Sequence, residues 1–486
     1  MSPQIITADE VPGVIEDGQT VGTDGFTLMG VADEIYAAIQ RSYLATSSPS
    51  GLTLFHISGQ SNREIGMERW AEPGLLRRIV GSHWGLAPRM GTLINDDGVE
   101  GVCLPQGQAS NLLHAIAAGR PGNLARVGIG TFVDPDLEGG RVNASARQAL
   151  EPDAYVEKVT VRGEENLLYK SFPVDVAIFR GTRMDRQGNV SQDGEAAGLD
   201  ALALAQAAHN SGGIVICQVK EIVEDGEIKP RDVTVPAALV DYVVVTSDVV
   251  EHHRQSDSFV ADPGLIGGVI SDEALTRVLG SREIAPARMA IGRRGANLVK
   301  PGDIINVGTG IPGDTIGVAL AENGLLPQVT MSMESGVYGG VPLGGTDFGA
   351  AQHPSAIISH SAQFDFYTGG GVDIAFMGVG QVDAAGDVNV SKLGGRLIGC
   401  GGFIDILSGA KRVCFLMSGA GRHPKFVDEI DHLTFNGREA LRNGQQVFLA
   451  TEDYTLQLAP AGWTVLSCDD TDEARERLAA VPLAAA

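Results

Sequence analysis

Short apolar runs rich in Val and Ile alternate along the chain with Ala-rich stretches of helical character. The helical segment ALALAQAAHN (201–210), for example, directly precedes the apolar run GGIVICQVKEIV (212–223). Strands that alternate with helices in this way predict a mostly parallel sheet with helices packed against it. We therefore expect a protein of the α/β class.

The pattern of predicted strands occurs twice. VDVAIFRGTRMDRQGNV (174–190) aligns without gaps on VDIAFMGVGQVDAAGDV (372–388), which is an offset of 198 positions. The same offset places Val215 on Val413, so that a predicted strand falls on a predicted strand. Self-similarity of this length indicates two related units. A chance alignment of two β-strands is the alternative.

A second match lies nearer the front of each half. VIEDGQTVGTDGF (14–26) resembles LVKPGDIINVGTGI (298–311) at an offset of about 285, which implies roughly 87 additional residues in the first half, mainly between Gly85 and Phe172. We predict two tandem, related open α/β domains, 1–280 and 281–486, joined near 280–297 by an Arg-rich helical stretch. Two such sheets favour a site in their shared cleft, near the carboxyl ends of the strands.

Composition and charge exclude several classes of function and partner. A chain of 486 residues exceeds one ordinary core, and its formal charge of −24 argues against nucleic acid or an anionic membrane as the main partner. The first residues have neither the basic start nor the apolar core of a signal peptide, and no apolar run reaches the length of a membrane span. Five dispersed cysteines without a CxxC pair indicate reduced thiols and a cytoplasmic protein.

A glycine pattern opens the second half. Gly308, Gly310 and Gly313 follow a predicted strand and precede a predicted helix, and Glu334 lies 21 residues after the last of them. This spacing resembles a dinucleotide-binding fingerprint, in which an acid takes the ribose 2′-hydroxyl. Backbone N–H groups at the helix start could instead hold a phosphate or another anion, and a tight turn without a ligand is the structural alternative.

Glu334 closes the predicted strand Val329–Met333, and a stretch with six glycines follows it. A carboxylate at the edge of a sheet, with small residues around it, could act as a general base, a metal ligand or a nucleophile. Most acids in such a position cap a helix or pair with an Arg. No HExxH or GxSxG motif occurs, and the pair His252–His253 is more typical of a surface loop than of a metal site.

Several long segments carry a family resemblance. ESGVYGGVPLGGTDFG (334–349), SHWGLAP (82–88), LPQGQASNLLHAIAAGRPG (104–122), GIGTFVDPDLEGGRVN (128–143) and GGGVDIAFMGVGQVDAAGDVNVSK (369–392) occur in order. Almost the whole chain resembles the family I coenzyme A transferases, in the single-chain branch of acetate/propionate and short-chain 3-oxoacid CoA-transferases. The resemblance implies two domains of the NagB/RpiA-like CoA-transferase fold, which agrees with the internal repeat.

The resemblance also implies roles for individual residues. Glu334 matches the glutamate that forms the covalent CoA thioester, Gln106 an amide that polarises the thioester oxygen, and Gly402 the glycine whose N–H completes the oxyanion hole. The resemblance further implies a CoA-contacting segment, which consists of Gly308, Thr309, Gly310, Ile311, Pro312 and Gly313, together with Gly401. Ser335 departs from the Asn that is common in 3-oxoacid transferases, which places the chain nearer the propionate-type branch.

The implied activity is transfer of CoA between a short-chain acyl-CoA and a free carboxylate, by a ping-pong route through a glutamyl-CoA thioester. CoA is then a substrate, and neither a prosthetic group nor a metal is expected. The family further implies a homodimer or homotetramer in short-chain fatty acid or 3-oxoacid (ketone body) metabolism. Two alternatives stay open, an acyl-CoA hydrolase on the same fold and an NAD-binding oxidoreductase that uses the glycine pattern.

Two further expectations concern the site. Glu334 must be ionised to react, so its pKa should stay below the working pH despite partial burial. The walls of the acyl pocket are predicted to include Val337, Tyr338, Phe132 and the stretch 58–66. The glycine-rich loop 336–349 and the insertion of the first half are predicted to close over the site and exclude water.

Overall fold

The computed structural model describes residues 2–150, 154–268, 270–280, 283–419 and 425–484. Within these residues the first half of the chain builds one eight-stranded sheet whose neighbouring strands are all parallel. Its strands follow one another across the sheet in the order Gln4–Ile5, Tyr242–Val245, Ile214–Val219, Val176–Arg180, Thr20–Thr23, Leu52–His56, Leu76–Gly81 and Glu100–Cys103.

Helices pack on this sheet. They are Asp33–Thr46, Pro88–Asn95, Gln106–Ala117, Ala144–Ala149, Ala201–Asn210 and Val249–His252, with 3-10 turns at Ala8–Val14, Met67–Trp70, Ala237–Leu239 and Pro263–Leu265. A small sheet of Val190–Ser191, Arg183–Asp185 and Glu221–Val223 lies beside it.

The second half builds a nine-stranded mixed sheet, again counted over the described residues. Its order is Ala356–Ile357, Val337–Tyr338, Thr330–Ser332, Ile304–Val307, Ile374–Gly378, Arg412–Leu416, Gln446–Ala450, Tyr454–Ala459 and Gly462–Cys468. The five central strands are parallel, and the two strands at each edge are antiparallel. The predicted α/β class is confirmed.

The helices of the second half are Asp272–Gly280, Pro286–Ala296, Ile311–Glu322, His360–Thr368, Phe403–Gly409, Gly437–Arg442 and Asp472–Ala479, with 3-10 turns at Leu326–Gln328 and Gly345–Asp347. Within the described part of this half, two-residue strands form three small hairpins, which pair Val341–Pro342 with Ala351–Gln352, Gln381–Val382 with Val388–Asn389, and Lys392–Leu393 with Arg396–Leu397.

The internal repeat is present in the sheet register. Val215 lies opposite Ala177 in the first sheet, and Val413 lies opposite Ala375 in the second, at the predicted offset of 198. A side-chain contact is repeated as well. In the first half, the Asp175 carboxylate accepts the N–H of Thr20 (2.7 Å).

The carboxylate of Asp373, the counterpart of Asp175, accepts the N–H of Ile304 in the same way (2.9 Å). Thr20 and Ile304 are 284 positions apart by their numbers in the chain. The register therefore differs by one residue from the predicted offset of about 285, which was measured on the glycines after the strands rather than on the strands themselves.

The insertion of the first half contains a three-stranded antiparallel sheet of Gly122–Ala125, Glu164–Lys170 and Val156–Val161. The predicted boundary between 280 and 281 falls between the two large sheets, and residues 281 and 282 lie outside the described residues. Leu279 packs in the core of the second sheet, so the helix before that boundary packs with the second half. The division at this position stays a prediction.

The two halves meet along a line of backbone hydrogen bonds. Trp84 N–H donates to the carbonyl of Ile398 (2.6 Å), and Gly401 N–H donates to the carbonyl of Ser82 (2.9 Å). The helix Gln106–Ala117 packs against helices His360–Thr368 and Phe403–Gly409 of the other half. This contact places the starts of several helices beside the end of the strand Thr330–Ser332.

Candidate active site

Glu334 lies at the tip of a tight turn. The strand Thr330–Ser332 ends, Met333 N–H donates to the carbonyl of Val337 (2.9 Å), and the chain runs back as the next strand. Gly336 has φ +93°, a conformation that a residue with a Cβ adopts only with strain. The turn therefore carries Glu334 beyond the end of the strand, where it lines a cavity.

The Glu334 carboxylate ends against Gly402, which belongs to the same half of the chain. A Cβ added to Gly402 would lie 2.1 Å from Glu334 Oε2, so only glycine leaves room for the carboxylate. The N–H of Gly402 faces this carboxylate and acts to lower its pKa. Gly402 has φ −81° and directly precedes the helix Phe403–Gly409.

Gln106 begins the helix that starts beside Gly401. Its N–H donates to the carbonyl of Gly401 (3.1 Å), and its side chain is 1% exposed. The Gln106 amide lies 3.4 Å from Ser82 Oγ through Oε1 and 3.0 Å from His360 Nε2 through Nε2. The structure thus brings Glu334, Gln106 and Gly402 to one point.

A buried acid–histidine cluster adjoins this point. His360 Nδ1 lies 2.7 Å from Asp200 Oδ2, and Asp200 accepts a hydrogen bond from Ser110 Oγ (2.7 Å). The carboxylate of Asp24 accepts the N–H of Asp200 (3.2 Å). No motif in the sequence indicates a role for His360, because a lone histidine after an N-capping serine carries no signal by which it could be found.

The electrostatics of Glu334 differ from expectation. Its pKa is raised from the ordinary 4.5 to about 7, chiefly by burial and also by the charge of Asp405, while His360 and the Gly402 N–H act in the opposite direction. The pKa was expected to stay below the working pH despite partial burial, and in the ligand-free protein it lies near neutral pH instead of at the ordinary acidic value. Loss of water around the carboxylate outweighs the few favourable partners.

The stability of the protein should depend on this carboxylate. Because folding raises its pKa, the folded state binds the proton more tightly than the unfolded chain, and stability is lost as pH rises from 4.5 through about 7. Glu334→Gln stays neutral and should gain on the order of 1–3 kcal/mol in unfolding free energy near pH 8, and less near pH 5. Denaturant unfolding at both pH values measures this.

The matched control is Glu16→Gln, which changes an exposed acid far from the cleft and should give the same small effect at both pH values. A gain for Glu334→Gln that is equal at both pH values would contradict the assigned cause.

A cavity of about 440 Å³ opens around Glu334. Of the predicted site residues, Gln106, Gly308, Thr309, Glu334, Gly401 and Gly402 line it. Gly310, Ile311, Pro312 and Gly313 continue into the first turn of helix Ile311–Glu322 and are outside this lining. The apolar wall comes from both halves and includes Phe26, Leu86, Phe348, Met377, Val379, Leu393, Ile398 and Phe403.

Most of the predicted acyl-pocket wall lies elsewhere. Only Gly59 of the stretch 58–66 lines the cavity. Tyr338 packs near Phe366 and Phe132 stacks on His432, while Val337 is buried in the sheet. Of the predicted closing segments, the glycine-rich loop 336–349 contributes Gly345 and Phe348, and the inserted region between Gly85 and Phe172 contributes Leu86 and Gln106.

The glycine pattern has a packing reason. A Cβ at Gly308 would lie 2.8 Å from Met377 Sδ, and one at Gly313 would lie 3.1 Å from the carbonyl oxygen of Gly308. The turn therefore fits closely between strand and helix, as a tight βα turn does. The Glu334 carboxylate points at Gly402, which lies outside this turn.

No group of three or more His, Cys, Asp or Glu side chains arranged for a metal ion occurs in the described part of the chain. His252 and His253 are not on the surface as expected, because His252 lies 2.8 Å from the Asp33 carboxylate and His253 is buried near Glu195.

The five cysteines are free thiols. They are dispersed in the sequence, yet Cys103 and Cys400 bring their sulfurs to within 3.7 Å of one another.

No described helix has the length and apolar character that crossing a membrane requires.

This chain is similar in sequence to known coenzyme A transferases. The family described as Coenzyme A transferase matches residues 6–246. Caffeate CoA-transferase of Acetobacterium woodii is 38% identical over 95% of this chain and 91% of its own. Acetate CoA-transferase YdiF of Escherichia coli O157:H7 is 33% identical over 94% of this chain and 88% of its own.

A solved structure is similar over nearly the whole chain. The acyl-CoA transferase YdiF of Escherichia coli O157:H7, in its thioester complex with CoA, superposes with a TM-score of 0.87 at 29% identity, over 99% of this chain and 93% of that one. The fold assigned from the sequence is therefore confirmed along almost its entire length.

Proposed function

Because this chain belongs to the coenzyme A transferase family, we propose that it transfers CoA from a short-chain acyl-CoA to a free carboxylate through a glutamyl-CoA thioester on Glu334. One observation carries the proposal. The Glu334 carboxylate lies against Gly402 in a cavity of about 440 Å³ that the neutral donor Gln106 also lines. The thioester complex of YdiF with CoA supports a covalent intermediate.

The first half-reaction begins when Glu334 attacks the acyl carbon and the tetrahedral intermediate expels CoA thiolate. The thiolate then attacks the glutamyl carbonyl of the mixed anhydride, which releases the first carboxylate and leaves the glutamyl-CoA thioester. The incoming carboxylate reverses these two steps. Each bond formed replaces one of similar energy, so neither ATP nor a metal has a task in this sequence.

Gln106 and Gly402 suit the tetrahedral oxyanion. Both are donors without charge, so they stabilise the oxyanion as it forms and do not neutralise Glu334 in the ground state. Water must be kept from the anhydride, because otherwise the enzyme becomes a hydrolase. The apolar wall with Phe26, Leu86 and Phe348 serves this purpose.

The pKa of Glu334 fits a nucleophile that binds its substrate near neutral pH. At about 7, a large fraction of the carboxylate is ionised at pH 7, and the same burial makes it poorly solvated and therefore reactive. His83 also lines the cavity, and burial lowers its pKa to about 4, so that it stays neutral.

The charge of the cavity indicates which acyl groups it takes. None of the described lining residues is Lys or Arg, and the nearest carboxylates, Glu334 and Asp405, repel a second anionic group. We propose uncharged acyl groups of the acetate and propionate type. The relatives are named for acetate and for caffeate, neither of which carries a second carboxylate.

A panel of acceptors tests both the reaction and this selectivity. Acyl-CoA consumption should depend on added acetate, propionate or butyrate with ping-pong kinetics, and succinate should be at least ~10-fold poorer because its second charge is buried without a cation. A loss of acyl-CoA that is indifferent to acetate would identify the hydrolase. Equal rates with succinate would contradict the selectivity, and Glu334→Gln serves as the blank.

Two cations beside the cavity suit the phosphates of CoA. Lys425 Nζ donates to the carbonyl of Val379 (2.7 Å), and its pKa is lowered by burial and by the charge of Arg288. Arg288 pairs with Asp314 (2.5 Å) in the first turn of helix Ile311–Glu322, yet its Nε is buried without a partner in the described structure. Like charges held together beside a helix start indicate an anion site.

Lys425→Met should raise the KM for acyl-CoA ~10-fold and leave the KM for acetate unchanged, because it removes one charge from the phosphate site. Lys411→Met removes an exposed lysine that pairs with Asp373 and is the control. Initial rates at varied acyl-CoA and at varied acetate measure this, and equal changes in both constants would argue against a phosphate site.

The remaining expectations are proposals of the same kind. We propose a homodimer or homotetramer, a cytoplasmic location, CoA as substrate without a prosthetic group, and two domains that divide near residue 280. Sedimentation at several protein concentrations tests the oligomeric state.

A further inference from the structure

His360 has both ring nitrogens engaged in the interior. It is the first residue of helix His360–Thr368 and is 1% exposed. Nδ1 lies 2.7 Å from Asp200 Oδ2, and Nε2 lies 3.0 Å from the Gln106 side chain. It is therefore the link between a buried carboxylate and the amide proposed for the oxyanion hole.

The donors and acceptors around Gln106 determine which way its side-chain amide faces. Ser82 Oγ donates its one hydrogen to the carbonyl of Ile57, so it has none for a glutamine oxygen 3.4 Å away. Rotation of the amide by a half-turn satisfies both neighbours, because Nε2 then donates to Ser82 Oγ and Oε1 accepts from His360 Nε2–H. The second N–H of the amide is then free to point into the cavity.

In this arrangement His360 carries a hydrogen on each nitrogen and is positively charged. Its surroundings favour that charge, since Asp200, Asp24, Glu334 and Asp405 all act on it. Burial alone would lower the pKa of His360, but the ion pair and hydrogen bond with Asp200 and the charges of Glu334 and Asp24 raise it above its ordinary value.

We infer that His360 is a positioning residue: as an imidazolium held by Asp200, it donates Nε2–H to the Gln106 carbonyl oxygen, turns the amide N–H toward the carbonyl that Glu334 attacks, and favours the ionised form of Glu334. The inference rests on the proposed function and adds to it a residue that touches no reacting atom. The positive charge of His360 stabilises the Glu334 carboxylate, while Gln106 and Gly402 act on the oxyanion.

Two substitutions distinguish the hydrogen bond that His360 makes to Gln106 from the effect of its positive charge. Asn at 360 reaches as far as Nδ1, so His360→Asn keeps the partner Asp200 and loses Gln106, and kcat should fall ~100-fold. Gln reaches as far as Nε2 and offers an N–H to the Gln106 oxygen, so His360→Gln should recover kcat to within ~10-fold of wild type at high pH.

The pH profile reports the charge. Both variants remove a cation that lowers the pKa of Glu334, so the acidic limb of kcat/KM should move to higher pH in each. Loss of packing alone does not move this limb. His114→Asn is the matched control, because His114 lies on the facing helix and contacts Ser361 (3.0 Å) outside the site; its rate and limb should stay unchanged.

A double-mutant cycle tests whether His360 acts through Gln106. If it does, His360→Asn in a Gln106→Ala background should cost no more than ~3-fold beyond Gln106→Ala itself. A full ~100-fold further loss, or acidic limbs that do not move in either variant, would overturn the inference while acetate-dependent transfer by the wild type upholds the proposed function. Absence of transfer by the wild type would overturn both.

Discussion

Replacement of Glu334 by alanine or glutamine should leave less than about a hundredth of the transfer rate, because in the proposed mechanism the CoA thiol joins the Glu334 carboxylate. Glutamine keeps the shape and the Gly402 contact, so its effect isolates the loss of the nucleophile. The turn that carries position 334 depends on backbone hydrogen bonds and on Gly336, and neither changes with the substitution.

Mass spectrometry of the intact protein completes this experiment. After incubation with acyl-CoA alone, the wild-type chain should gain the mass of CoA at Glu334, and the Glu334→Gln chain should gain nothing. Glu16→Gln, an exposed acid, should match the wild type in both rate and adduct. Turnover of Glu334→Ala above about a hundredth of the wild-type rate would remove Glu334 from the role of nucleophile.

Gly402→Ala should reduce transfer by ~10²–10³-fold without unfolding the protein. Its Cβ would lie 2.1 Å from Glu334 Oε2 and 2.9 Å from Phe364 Cζ, so the carboxylate must move away from the N–H that faces it. Alanine adopts a φ of −81° without strain, and the change therefore acts on the side chain of Glu334 and not on the backbone.

The matched control is Gly13→Ala. A Cβ at Gly13 meets nothing within 4 Å, and its φ lies outside the range that favours glycine. Thermal unfolding should show both variants folded, with only Gly402→Ala slow in transfer and in adduct formation. A Gly402→Ala enzyme with the wild-type rate would mean that the carboxylate reacts from another position.

The local sequence was sufficient to predict the architecture, because strands and helices produce periodic patterns of buried apolar residues. The apolar runs around Val176 and Ile374 predicted the paired central strands, and the offset of 198 reappears in the register of Ala177 with Val215 and of Ala375 with Val413. The strand that delivers Glu334 was also predictable. It ends at Ser332, one residue earlier than expected, because Met333 already forms the turn.

Contacts between residues that are far apart in the sequence produce no such pattern. Gln106 and Gly402 came from the family resemblance alone, and nothing in the chain between them indicates that Gln106 N–H meets the carbonyl of Gly401. The predicted wall residues Val337 and Tyr338 follow Glu334 in sequence, yet the turn carries them away from the cavity, and Phe348 approaches it instead. Neighbourhood in sequence is a poor guide to neighbourhood across a cleft.

By itself, then, the sequence determined the α/β class, the repeated halves, the family and the carboxylate that ends the strand, because each is written in consecutive residues. Only the tertiary structure decided the partners of that carboxylate, the raised pKa of Glu334 and the place of His360. The physical reason is that a pKa and a cavity depend on distances and on excluded water, and both arise only when the two halves pack together.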